Sequence, residues 1–339
     1  MRRPLTVVPL LVLALLAGCA ATPVPPPTPT STPAPVTPSS PAPQALVVAP
    51  GERPPTVMDG DCLAALTPEE LSQTIGEPVT RVFRRDERWT RSLNGVGGLS
   101  CEWEGEAVRG GFEILPRAGL GSAEFTPDQD ELYFQECNPD WVCAWQWETE
   151  GLRIVGSFQG LRAMTRERVD SLGDQLGSKI AARADAYGQP TWQLDRSRWW
   201  SAPDCAQLAA SVGTLLGAEL TGTWLGHHDT PSAGTALADT AVAYRMCLLD
   251  DAATAANRLI LSSTAGLGWD VPWAGEGAPV DTGAHAVEAY ARPGGGYIAG
   301  TMFELTDGVN VLSAEVAGDA PWSSAEVLGA LGSLVANGL

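Results

Sequence analysis

Cysteine is the residue here with the widest chemistry, because its thiolate can attack carbon, hold a metal or join another thiol. The chain of 339 residues has seven: Cys19, Cys62, Cys101, Cys137, Cys143, Cys205 and Cys247. None is spaced Cys-x-x-Cys, and no histidine lies close in sequence, so thiolate metal ligation has little support. Other nucleophile patterns fail on identity. A Ser-x-x-Lys acylase needs serine three residues before Lys179, the only lysine, and that position is Leu176. Gly-x-Ser-x-Gly, His-Glu-x-x-His and a phosphate-cradling Gly-x-x-x-x-Gly-Lys do not occur. His227, His228 and Asp229 form the densest polar cluster, with only His285 elsewhere, and read as a surface loop. Asp128, Asp130 and Glu131 lack the glycine and closing glutamate of a calcium loop and read as a solvated turn. Tryptophan is abundant, twelve against six Phe and five Tyr. Gly268-Trp269-Asp270-Val271-Pro272-Trp273 could present aromatic faces to a sugar or apolar ligand, with packing as the competing role. Trp269, Asp270, Trp273 and Trp141 are therefore the candidate ligand-binding residues. Nothing calls for a cofactor or a metal.

The N-terminus places this chemistry. Arg2 and Arg3 precede an apolar run from Val7 to Leu16, then Ala17-Gly18-Cys19. The run is shorter than the about 20 residues that span a bilayer. The pattern is that of a lipoprotein signal peptide over residues 1–18. Leu16-Ala17-Gly18-Cys19 looks like a bacterial lipobox, which implies that Cys19 carries the lipid anchor, palmitate included, and becomes the mature first residue. Residues 19–55 alternate proline with Thr, Ser, Ala and Val and read as a disordered tether. In a polyproline II form it would reach up to ~110 Å from the membrane. The expected location is extracytoplasmic, anchored to the cell membrane.

The net charge is −19, and loss of Arg2 and Arg3 with the signal makes it −21. No stretch is strongly basic, which argues against nucleic acid as a partner. Cations and basic partners are compatible with such a surface.

The remainder reads as two similar halves, residues 56–186 and 204–339, joined by a linker at 187–203. Asp61-Cys62 leads to Cys101 after 39 residues; Asp204-Cys205 leads to Cys247 after 42. Ala-Gly-Leu-Gly then recurs at 118–121 and 265–268. This predicts an internal repeat of roughly 130 residues. Each half opens on a helix: Thr67-Pro68-Glu69-Glu70 is a capping box with Gly76 as the stop, and Asp204 caps a helix that Gly217 ends. Five strands per half are expected, about 98–105, 110–116, 131–137, 142–149 and 152–159, then about 240–249, 257–263, 284–292, 297–305 and 309–316. Gly151 and Gly308 are placed in hairpins as positive-φ residues. Closing helices are expected over about 165–185 and 323–337. The fold class is α+β: a tandem duplication of an α-β5-α domain, whose short strand connections favour an antiparallel sheet packed by the N- and C-terminal helices.

Asp61-Cys62-Leu63, Leu66-Thr67-Pro68-Glu69-Glu70-Leu71, Gly76 and Cys101-Glu102-Trp103 resemble a domain of unknown function common in exported lipoproteins of mycobacteria and their actinobacterial relatives. The likeness covers about 45 residues of the first half; the second lacks the Leu-Thr-Pro and the strand tryptophan. It is similar in kind to extracytoplasmic sensor or ligand-binding domains and implies no catalytic residue.

Six cysteines in an exported chain imply disulfides. The repeat selects Cys62–Cys101, Cys205–Cys247 and Cys137–Cys143. A closed loop of about 40 residues is worth ~4 kcal/mol in the chain-entropy model. With Cys19 lipidated, no thiol is left for catalysis. The expectation is therefore no enzyme, but a lipid-anchored binding or sensor-type lipoprotein for an unknown small ligand. The alternative is an interaction or scaffold protein for another cell-wall or envelope protein. A third reading is a carboxylate-dependent cell-wall hydrolase, which needs two facing carboxylates about 5–10 Å apart.

Overall fold

The structure, a computed structural model, describes residues 45–339 except 86–89, 136, 138–142, 163, 189–190, 227–231, 272–276, 284–286 and 295–296. Residues 44–339 form one compact unit. Cys19, the signal and most of the tether lie outside the described residues. No helix among those residues is long and apolar enough to cross a membrane.

The chain enters through a short strand, β1 (Leu46–Val48), inside the segment read as tether. The first half follows, with α1 (Cys62–Ala65) and α2 (Pro68–Ile75). The capping box forms as the sequence requires, Thr67 and Glu70 each accepting the other's backbone N–H, and Gly76 ends α2 at φ 75°. Next come β2 (Arg81–Arg84), α3 (Arg91–Gly95), β3 (Leu99–Glu104), β4 (Arg109–Pro116), α4 (Arg117–Leu120) and α5 (Pro127–Asp130). β5 (Cys143–Glu148), β6 (Leu152–Gln159) and α6 (Arg166–Tyr187) close the half. The antiparallel order is β2-β3-β4-β6-β5.

Three expectations differ from the observed fold. The segment read as a strand over 131–137 starts instead with a π turn, Glu131–Gln135, continuing α5. Thr126 and Gln129 form a capping box with Pro127 at the first helical position, which commits the segment to helix. The fifth strand is β2, outside the strand ranges expected for this half. Gly151 is also absent from the positive-φ glycines, whereas Gly308 adopts φ 82°.

The former linker holds β7 (Trp192–Leu194), which pairs in parallel with β1. Trp192 and Trp200 are buried, so this segment is packed. The second half runs α7 (Cys205–Leu216), β8 (Leu220–Trp224), α8 (Ala233–Ala241), β9 (Arg245–Asp251), β10 (Asn257–Thr264), β11 (Ala278–Val280), β12 (Glu288–Pro293), β13 (Gly300–Thr306), β14 (Val311–Ala317) and α9 (Ser324–Asn337). Its order is β11-β12-β13-β14-β10-β9-β8, again antiparallel, two strands wider than the first sheet.

One face of each sheet carries its apolar core under its own helices. In the first half Trp103, Phe112, Trp145 and Phe158 pack with residues of α1, α2 and α6. Gly173 and Gly177 of α6 lie so close to Trp145 and Trp147 that a methyl on either would collide with the indole stem. In the second half Leu249, Leu261, Phe303 and Leu312 pack with residues of α7 and α9. Cys62–Cys101, Cys137–Cys143 and Cys205–Cys247 are bonded, with Cα separations of 5.7, 4.6 and 5.5 Å.

Candidate functional site

The opposite face of the first sheet is also covered, and its residues are the less expected ones. α8 of the second half packs on β4 and β6 of the first and on α3. Leu237, Ala238 and Val242 join Leu93, Leu115 and Val155 in a third apolar cluster. Where α8 begins, the chain places a carboxylate on the sheet below it. Glu113 of β4 accepts the Gly234 N–H at 3.0 Å and the Ser232 hydroxyl, with the Thr235 hydroxyl at 3.4 Å. The unsatisfied donors of a helix N-terminus favour an acceptor of this kind. Burial raises the Glu113 carboxyl above the ordinary range, and those hydrogen bonds oppose the shift.

Further along the seam, Asp239 of α8 is buried, and burial pushes its carboxyl up to about 7 despite a hydrogen bond from Ser92. Arg91 of α3 crosses to the second half. Its Nε donates to Asp270 Oδ2 at 2.9 Å, its Nη2 to the Asp270 carbonyl at 3.0 Å and its Nη1 to Glu304 Oε1 at 2.9 Å.

Glu304 belongs to the face of the second sheet that α7 and α9 leave uncovered. Register puts Tyr290, Glu304, Ser313, Ser262 and Met246 in one row across β12, β13, β14, β10 and β9. Arg292, Met302, Glu315, Ile260 and Leu248 form the next. Glu304 and Glu315 are buried, while Tyr290, Arg292, Met302, Ser313 and Ser262 are half-buried. A half-buried polar face with one aromatic, one cation and two carboxylates can grip a small polar ligand. Glu304 and Glu315 are diagonal neighbours on paired strands, a relation that sets their backbones ~7–8 Å apart. Both already have partners: Glu304 holds Arg91, and Glu315 accepts the Ile298 N–H at 3.0 Å.

The candidate ligand residues from the sequence fall beside this face in part. Asp270 is on it through Arg91. Trp269 is half-buried under the Arg53 guanidinium, 5.1 Å from its ring. Gly268 is pressed against the Gly308 backbone, which Gly51 also approaches closely. The Trp269–Asp270 turn is thus tied to the chain's entry segment and to α3. Trp273 and Trp141 lie outside the described residues, as do His227, His228, Asp229 and His285. Asp128, Asp130 and Glu131 lie on α5 and its π turn, and the described residues contain no group of three or more metal-ligating side chains.

Sequence reasoning passed over Arg91, Glu113, Asp239, Glu304 and Glu315. A signal existed: Phe112-Glu113-Ile114, Phe303-Glu304-Leu305 and Ala314-Glu315-Val316 each set one carboxylate inside an apolar strand. Alternation puts each of these carboxylates on the sheet face opposite the core. Compared with protein-family models, curated proteins and solved structures, the chain has no match in any of the three.

Proposed function

We propose that the chain is a lipid-anchored extracytoplasmic binding or sensor-type protein, whose ligand lies on the polar face of the second sheet beside the Trp269–Asp270 turn. The observation that carries this reading is the face itself. Tyr290, Arg292, Met302 and Ser313 remain half-buried and project from adjacent strands, while the opposite face of the sheet forms the core. The extra strands β11 and β12, without counterpart in the first half, lengthen that face. Disulfides are compatible with an extracytoplasmic location. We read the two halves as a tandem duplication. Supporting this, the order β2-β3-β4-β6-β5 reappears as β8-β9-β10-β14-β13, and each half ties its opening helix to its second strand by a disulfide.

Equilibrium titration following tryptophan fluorescence tests the reading, using cell-wall glycan fragments, phospholipid vesicles and small metabolites. Saturable binding by one class, weakened tenfold or more by Arg292→Ala and silenced in part by Trp269→Phe, is expected. No response from any class would leave the interaction-protein alternative in its place.

A further inference from the structure

The opposite face of the second sheet holds an unmatched cation. Cross-strand register sets Arg245 of β9 beside Ser263 of β10, on the face that carries Cys247 and Leu261. Trp224, the last residue of β8, stands opposite Cys247 and so lies diagonal to Arg245 on that face. The Arg245 guanidinium lies over the Trp224 ring, 4.5 Å from its centroid.

Arg245 Nε is buried without a hydrogen-bond partner, and so is the hydroxyl of Ser263, a residue only 3 % exposed. Among the described arginines that are not exposed, Arg245 alone makes neither a hydrogen bond nor an ion pair. That is a costly arrangement in a chain with 40 carboxylates to choose from. A planar guanidinium held beside an aromatic ring takes a carboxylate through two parallel hydrogen bonds. At this corner β8 is the last strand of the sheet, and Trp224 is 47 % exposed.

We propose that Arg245, Ser263 and Trp224 form a second binding site, for the carboxylate of a small monoanionic ligand. One guanidinium neutralises one negative charge, and Ser263 donates to the same oxyanion. A phosphate dianion would leave a net charge uncompensated at a half-buried site in a protein of net charge −19, so a carboxylate fits better. The exposed part of the indole offers its face to an apolar group beside that carboxylate.

The test uses the full chain labelled with 15N, and the Arg245 Nε–Hε resonance, assigned by its loss in Arg245→Lys. Titration with acetate and with benzoate is expected to move that resonance saturably, benzoate binding more tightly because its ring can lie on Trp224. Ser263→Ala should weaken both by about tenfold, the loss of one hydrogen bond to a charged group. Inorganic phosphate should bind more weakly than acetate. A resonance that stays fixed up to about 100 mM acetate, or that moves equally with chloride, would overturn the site. Tighter binding of phosphate would overturn the assigned ligand class, and an unchanged affinity in Ser263→Ala would remove Ser263 from it.

Discussion

Asp239 sits where α3 meets α8, with the Ser92 hydroxyl hydrogen-bonded to it and Tyr244 close enough to feel its charge. Burial disfavours its ionised form and pushes its carboxyl up to about 7. In the unfolded chain the same group ionises near pH 4. The folded state therefore holds a proton that the unfolded state has released between about pH 4 and 7, and stability falls as pH rises across that window. Asp239→Asn keeps the shape and an acceptor for Ser92 while removing the charge. We expect chemical denaturation to show the variant more stable than the parent at pH 8, by on the order of a few kcal/mol, with little difference at pH 4. A parent whose stability does not decline between pH 4 and 8 relative to the variant would contradict this account of Asp239.

At the scale of elements, the periodic and capped segments were legible in the sequence and the crossings between them were not. α2, α6, α7 and α9 lie where the caps Thr67, Thr165, Asp204 and Ser323 and the apolar spacing set them. Those signals act within one turn of chain, so a reader of sequence has them in view. β2 was missed because Arg81-Val82-Phe83-Arg84 is too short to show alternation, and its status comes from pairing with β3. α8 is an alanine-rich helix between two strands, and only its landing on β4 and β6 explains why nearly all of it is buried. The Arg91 link between α3 and β13 is non-local in the same way, spanning 213 residues to Glu304. Arg91→Ala would take the guanidinium away from buried Glu304 and half-buried Asp270. A loss of 3–5 kcal/mol on denaturation is expected, about the cost of breaking a buried pair from one side. A loss below about 1 kcal/mol would show the link to be a surface contact in effect.

For the whole molecule, the halves are joined by a seam in which polar groups are specific and apolar groups are bulk. Glu113 on the α8 N-terminus, Asp239 with Ser92 and Arg91 with Asp270 and Glu304 fix how the halves meet. The entry segment adds a clasp, with β1 on β7 and Gly51 against Gly308. The second sheet then keeps one half-buried polar face, and that face is the centre of the account. The most direct test is to add the compound that quenches fluorescence to 15N-labelled protein and follow the backbone amides. The largest shifts are expected at Tyr290, Arg292, Met302 and Ser313, with the Trp269 indole moving alongside and the compound recovered unchanged. Shifts confined to the α7 and α9 side of the sheet, or chemical conversion of the compound, would contradict it.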